Sequence, residues 1–352
     1  MIETWRWFGP KDKVTLSDIR QTGASGIVTS LYHLEPGIVW KKEEISSRLK
    51  EITGSKSQPT HLSWEVVESL PVSETIKTGS HPRDEHIKAW IESMENLSEL
   101  GINVICYNFM PILDWTRTEL AAPMSSGATA MYFNLLDFIA FDCFILERIN
   151  AQNDYEKHLV DKAKNRFESF STEKKLLLTK NITAGLPGAG ENLTFEEVKT
   201  RLEGYSGIDA DKLRENFKYF LDAVVPTAEK LGVRLCCHPD DPPWPLLGLP
   251  RIMSTEEDYN WLLNIHPSKA NGITLCTGSL GTGFENDLPG MVSRLGQHIH
   301  FLHLRNVTRE QEKKPTSFYE DEHLSGNTDM IATISEIVRE ESRRKAEGRE
   351  DW

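Results

Sequence analysis

The sequence predicts an α/β protein: a (β/α)8 TIM barrel with a helical insertion between its fourth and fifth strands. Three observations predict it. Short apolar runs rich in β-branched residues alternate with amphipathic helical segments, the pattern of a parallel sheet. The runs are apolar throughout, as strands buried on both faces are. The competing doubly wound nucleotide-binding sheet lacks its marks, since neither a GxGxxG first turn nor a P-loop occurs. A single barrel domain over residues 1–352 accommodates the chain, because such barrels often run past ~250 residues.

The elements follow in order. Trp5–Phe8 reads as the first strand, broken by Gly9-Pro10, and Thr15 or Ser17 can cap a short helix through Arg20. Gly26–Tyr32 is the second strand, closed by Pro36-Gly37. Lys42–Glu51 has the helical spacing of Ile45 and Leu49, and Leu62–Val67 is the third strand. Asp84–Leu100 carries apolar residues at three- and four-residue steps until Gly101 stops it. Asn103–Phe109 is the fourth strand, ended by Pro111.

The rhythm then breaks. Residues 117–203 show no strand of comparable quality. Met131–Glu147 and Asp154–Glu173 read as helices and Ala184–Asn192 as a glycine-rich loop. The segment reads as a helical insertion, a lid or a subunit interface. Alternation resumes with helix Ala210–Leu231, strand Arg234–Cys237, helix Thr255–Ile265, strand Gly272–Cys276, helix Asp287–Leu295, strand Ile299–His303 and a last helix over Thr328–Lys345. This makes seven strands. The barrel needs an eighth, which is expected just beyond Trp352 and missing from the chain as given.

Three successive strands end in ligand-forming residues. Pro239 cannot continue a ladder, so His238 sits at the end of strand five. Cys276 ends strand six and His303 ends strand seven. Chemistry in such barrels sits at the C-terminal strand ends, where neighbouring side chains can converge on one ion. Imidazole, thiolate and imidazole suit Mn²⁺, Fe²⁺, Co²⁺ or Zn²⁺ better than Mg²⁺ or Ca²⁺. Asp240 and Asp241 can orient His238 from behind, and Asp240 is also assigned to substrate. Arg305 shares the strand parity of His303 and is expected to hold a carboxylate and add positive charge in catalysis. Asn108, ending strand four, is a candidate hydroxyl-binding amide. Of strand one, either the Trp5/Trp7 pair or the Arg6/Phe8 pair faces inward, and Arg6 and Trp7 are carried as substrate contacts. His323, in the Glu320–Asn327 loop after strand seven, is a candidate proton donor or substrate contact.

Composition bounds the partners. A net charge of −13 argues against a nucleic-acid surface, and no apolar stretch approaches the ~20 residues of a membrane span. The N-terminus has neither signal- nor transit-peptide character, so a cytoplasmic protein is expected. The five cysteines are an odd number without CxxC pairs, and Cys106, Cys143, Cys236 and Cys237 read as small buried hydrophobes.

Taken together, several segments resemble the mannonate dehydratase family of the xylose-isomerase-like barrels. They are Thr4–Gly9, Gly26–Tyr32, Asn108–Pro111 with Asp114–Arg117, His238–Pro243, Leu275–Ser279, His303–Arg305 and Glu322–Gly326. The resemblance implies a Mn²⁺- or Fe²⁺-dependent hydro-lyase that converts D-mannonate to 2-keto-3-deoxy-D-gluconate, and a dimer or tetramer is expected. It carries the ligand role onto His238, Cys276 and His303. The family's Arg-Pro-Asp-His-Gly motif on strand eight, with an Asp ligand and a catalytic His, does not occur in this sequence. A metal-dependent sugar isomerase or epimerase on the same barrel, or a non-catalytic metal-binding barrel, remain the alternatives.

Overall fold

The computed structural model describes residues 1–185 and 193–349. Seven strands form one sheet: β1 (Thr4–Arg6), β2 (Gly26–Thr29), β3 (Ser63–Glu68), β4 (Val104–Tyr107), β5 (Arg234–Cys237), β6 (Asn271–Cys276) and β7 (Ile299–His303). All neighbours are parallel and stand in sequence order, without the reversal that defines a doubly wound sheet. The sheet is curled. Flat, β3 and β7 would lie four spacings apart, roughly 19 Å at ~4.8 Å each. Instead His303, ending β7, hydrogen-bonds Glu68, ending β3, at 3.0 Å.

Two apolar layers hold the curl. Inside, Val28, Val66, Val104, Cys106, Cys236 and Phe301 form a small cluster. Outside, the opposite strand parity packs against the helices, with Ile27, Val67, Ile105, Leu235 and Ile273 meeting Trp90, Phe217 and Phe220. Helix Ala210–Leu231 supplies much of that outer layer, and its Asp209 cap and left-handed Gly232 stop mark its ends. The four cysteines Cys106, Cys143, Cys236 and Cys237 are all free and buried.

The stretch 117–203 is not wholly helical. Glu119–Pro123 and Thr129–Phe133 are antiparallel strands, and Thr129–Phe133 pairs with Phe318–Asp321, which pairs with Asn306–Arg309. This four-stranded sheet replaces the simple loop expected after β7. Its signal was weak because Glu119–Pro123 is alanine- and proline-containing, and its stabilising partners lie far away in sequence. Met131–Phe133 thus belongs to a strand, and the helix expected there starts at Leu135 behind an Asn134 cap. The expected helix Asp154–Glu173 is two, Lys157–Glu168 and Thr172–Thr183. The glycine-rich loop reading falls mostly on 186–192, outside the described residues. A separate apolar cluster, with Phe133, Phe138, Phe141, Trp244 and Phe318, packs this sheet and its helices onto the loop after β5.

Candidate metal centre and active-site cleft

The strand ends converge. In the β6–β7 ladder Cys276 stands opposite His303. His238 follows Cys237, and its amide donates to the Tyr107 carbonyl of β4 at 2.7 Å. Cys276 is fully buried, while His238 and His303 are half-buried at the rim. Their ligand atoms all lie within 4.8 Å of one another.

The partners of each ring fix what it presents. His238 Nδ1 donates to the Pro239 carbonyl at 2.7 Å, and His303 Nε2 donates to Glu68 Oε2 at 3.0 Å. Neither acceptor has a proton to give, so the ring protons sit on those sides. His238 Nε2 and His303 Nδ1 are left facing each other at 3.1 Å. Two lone pairs at that distance repel unless a cation or a proton joins them. Cys276 adds a third donor, its sulfur accepting from the Ser279 hydroxyl at 3.3 Å. The donor set fits a borderline divalent ion, and the outer hydrogen bonds are those that orient metal-bound histidines.

The electrostatics agree. Burial alone would raise the Cys276 thiol, but the Arg305 charge and both histidines bring it well below its ordinary range. Burial alone would lower His303, but the Glu68 carboxylate and Cys276 raise it to about 10. Without a metal, a proton therefore occupies the centre, and binding must expel it. Metal affinity should rise with pH across neutrality, by up to about tenfold per unit, until His303 loses its proton unaided. Titration calorimetry at two pH values about two units apart would measure this. A pH-independent affinity would contradict the picture.

Beside the centre lies a cleft of about 390 Å³. Arg6, Phe8, Glu68, Asn108, Asp114, Trp115, Asp241, Arg305 and Glu320 are among the residues that line it. Arg6 reaches Glu68 Oε1 at 3.1 Å and lies over the Phe8 ring. Asn108 Nδ2 donates to Asp114 at 3.3 Å.

Several expectations are corrected here. Trp7 is 5% exposed, packed in the outer core beneath the Arg48 guanidinium, because the parity that turns Arg6 and Phe8 into the cleft turns Trp7 away. Asp240 is buried outside the cleft, where its carboxylate accepts from the Met253 amide at 2.7 Å and the Ser254 hydroxyl at 2.9 Å and braces the loop. Asp241 does not orient His238 either. It holds Arg117, Ser279 and Arg305. Arg305 lines the cleft, but both its terminal nitrogens are committed, Nη1 to both Glu320 oxygens at 2.7 Å and Nη2 to Asp241 and Ser279. His323 is exposed, its ring on the Leu304 carbonyl at 3.0 Å, and it is not among the residues lining the cleft.

Sequence reasoning missed Glu68, Arg117 and Glu320. Glu68 had the signal used for His238, a chemistry-bearing residue closing a strand of the parallel sheet. Arg117 fell within the Asp114–Arg117 segment and Glu320 at the start of the Glu320–Asn327 loop, but nothing local paired them, since they meet only through the antiparallel sheet. Gly278 also matters, because a Cβ there would lie 2.4 Å from the Arg305 guanidinium carbon.

Residues 1–351 match the family model described as D-mannonate dehydratase (UxuA). The chain belongs to the mannonate dehydratase family. It is 50% identical to a mannonate dehydratase of Rhizobium meliloti (strain 1021) over 351 residues, covering 100% of this chain and 86% of that protein. Identity to mannonate dehydratase 1 of Agrobacterium fabrum is also 50%, with the same coverage. The crystal structure of mannonate dehydratase from Streptococcus suis serotype 2 superposes with a TM-score of 0.75 at 33% identity, covering 97% of this chain and 82% of that one. No helix among the described residues is long and apolar enough to cross a membrane.

Proposed function

We propose that the protein removes water from D-mannonate, with Mn²⁺ or Fe²⁺ held by His238, Cys276 and His303. The observation that carries this reading is the convergence of those three ligand atoms within 4.8 Å beside an arginine-lined cleft. A divalent ion bound there would supply Lewis-acid withdrawal of charge from the substrate's oxygens.

The chain's own residues do the rest. Arg6 lies in the cleft with a quarter of its side chain exposed, and it suits the substrate carboxylate better than the fully engaged Arg305. Asn108 offers an amide to a hydroxyl, and Phe8, Trp115 and Met131 wall the cleft against water. The C2 proton leaves, the C3–O bond breaks with the oxygen departing as water, and the resulting enol tautomerises to 2-keto-3-deoxy-D-gluconate. Among the described residues, the only histidines lining the cleft are the two of the centre. His323 is not among the residues lining the cleft, and no proton transfer is assigned to it.

We read the curled sheet as seven staves of a (β/α)8 barrel, with β1 and β7 as the edges an eighth would join. The described part of residues 117–203 then adds to the wall of the cleft through Met131, and exposed Ile149, Leu176 and Leu177 suit contact with a second copy. The test is to incubate protein reconstituted with Mn²⁺ or Fe²⁺ with D-mannonate and, separately, with aldoses. Formation of 2-keto acid from D-mannonate alone is the expected result. Isomerised aldoses with untouched mannonate would end the reading.

A further inference from the structure

We propose that Glu68 is a positioning residue that couples the metal centre to the substrate-binding arginine. This rests on the reading of the cleft given above. Glu68 ends β3, is 6% exposed and divides its two oxygens between opposite sides of the curled sheet. Oε1 accepts from Arg6 of β1 at 3.1 Å, and Oε2 accepts from His303 of β7 at 3.0 Å. One carboxylate thus ties the two edge strands together at the level of the cleft.

Each contact has a chemical consequence. Accepting from His303 Nε2 fixes the tautomer that leaves Nδ1 bare toward His238 and Cys276, as a ligand must be. Accepting from Arg6 Nη1 fixes the guanidinium in the cleft, so less of its rotational freedom is lost when a carboxylate binds. The cation–π contact with Phe8 holds the same guanidinium from its face. Glu68 is not one of the three ligand residues, and both its oxygens are already taken by Arg6 and His303. It sets the posture of those two groups.

Glu68→Ala and Glu68→Gln separate the two roles. Alanine removes both acceptors. Glutamine keeps an oxygen for His303 but turns an amide NH₂ toward Arg6, two donors face to face. Metal affinity is measured by chelator competition, and kcat and KM for D-mannonate at saturating metal. Glu68→Ala should bind metal roughly 10- to 100-fold more weakly. Glu68→Gln should keep metal affinity within about threefold while KM rises on the order of tenfold and kcat changes less. Unchanged metal affinity in Glu68→Ala overturns the proposal. So does Glu68→Gln losing metal as fully as alanine, or showing an unaltered KM. If alanine fails to fold, the glutamine variant decides. The metal readout needs no substrate, so a wild-type protein inert toward D-mannonate would end the functional reading and leave this one to be judged on metal binding.

Discussion

Replacing Cys276 with serine should cost the protein its metal and its turnover while leaving the fold in place. The thiolate is the softest donor of the three and the one whose charge would offset a divalent ion's. Serine is nearly isosteric, but its hydroxyl stays protonated at neutral pH and is a poor ligand. The surroundings tolerate the exchange, because the Ser279 amide and hydroxyl that now donate to sulfur would donate to oxygen instead. Loss of an outer partner of a metal ligand already costs roughly 10- to 100-fold, so loss of a ligand itself should weaken binding by at least about 10²-fold. Elemental analysis after dialysis should find far less metal than in the wild type, and 2-keto acid formation should fall in parallel. A metal-free melting temperature close to the metal-free wild type would show that the fold survives. Full metal content and full turnover in Cys276→Ser would remove Cys276 from the centre.

The strands of the curled parallel sheet were legible because their signals are local. β5 and β7 fall on the expected residues, Arg234–Cys237 and Ile299–His303, each an apolar run with a definite stop. Helix Ala210–Leu231 was legible for the same reason, with apolar periodicity between a capping Asp209 and a terminating Gly232. That His238, Cys276 and His303 would meet followed from strand ends at matching heights. What local pattern cannot supply is the direction of a strand's two faces. It left Arg6 and Trp7 unresolved, and the core settled them by taking the indole. Nor can it supply pairing across long sequence separations. The sheet joining 119–133 to 306–321 depends on residues nearly two hundred positions apart, so the side chains it brings together were invisible.

The clearest of those is Arg117, and its removal is expected to be the most damaging change to stability. The side chain is fully buried. It donates to Asp241 at 2.7 and 3.3 Å and to Glu320 at 2.8 Å, and its guanidinium lies between the Trp115 and Phe318 rings at 4.5 and 4.6 Å. Asp241 comes from the loop after β5 and Glu320 from the antiparallel sheet, so one guanidinium clamps the two layers around the cleft. Burial alone would raise Asp241, but the Arg117 and Arg305 charges hold it well below the usual carboxylate range. A depressed carboxylate contributes stability above its unfolded pKa of about 3.9, and that contribution is lost as pH falls through the folded value. Arg117→Met keeps length and apolar contact but leaves Asp241 and Glu320 to share Arg305. Breaking a buried pair on one side typically costs about 3–5 kcal/mol. The melting temperature should therefore fall by roughly 4–7 °C at neutral pH, and the deficit should shrink as acid protonates Asp241 first in the variant and close in strong acid, where it is protonated in both proteins. Because the cost comes from a stranded charge, Arg117→Met with Asp241→Asn should lose less than the two single changes added together. Additive losses in that double variant would mean the clamp acts through packing against Trp115 and Phe318 rather than through charge.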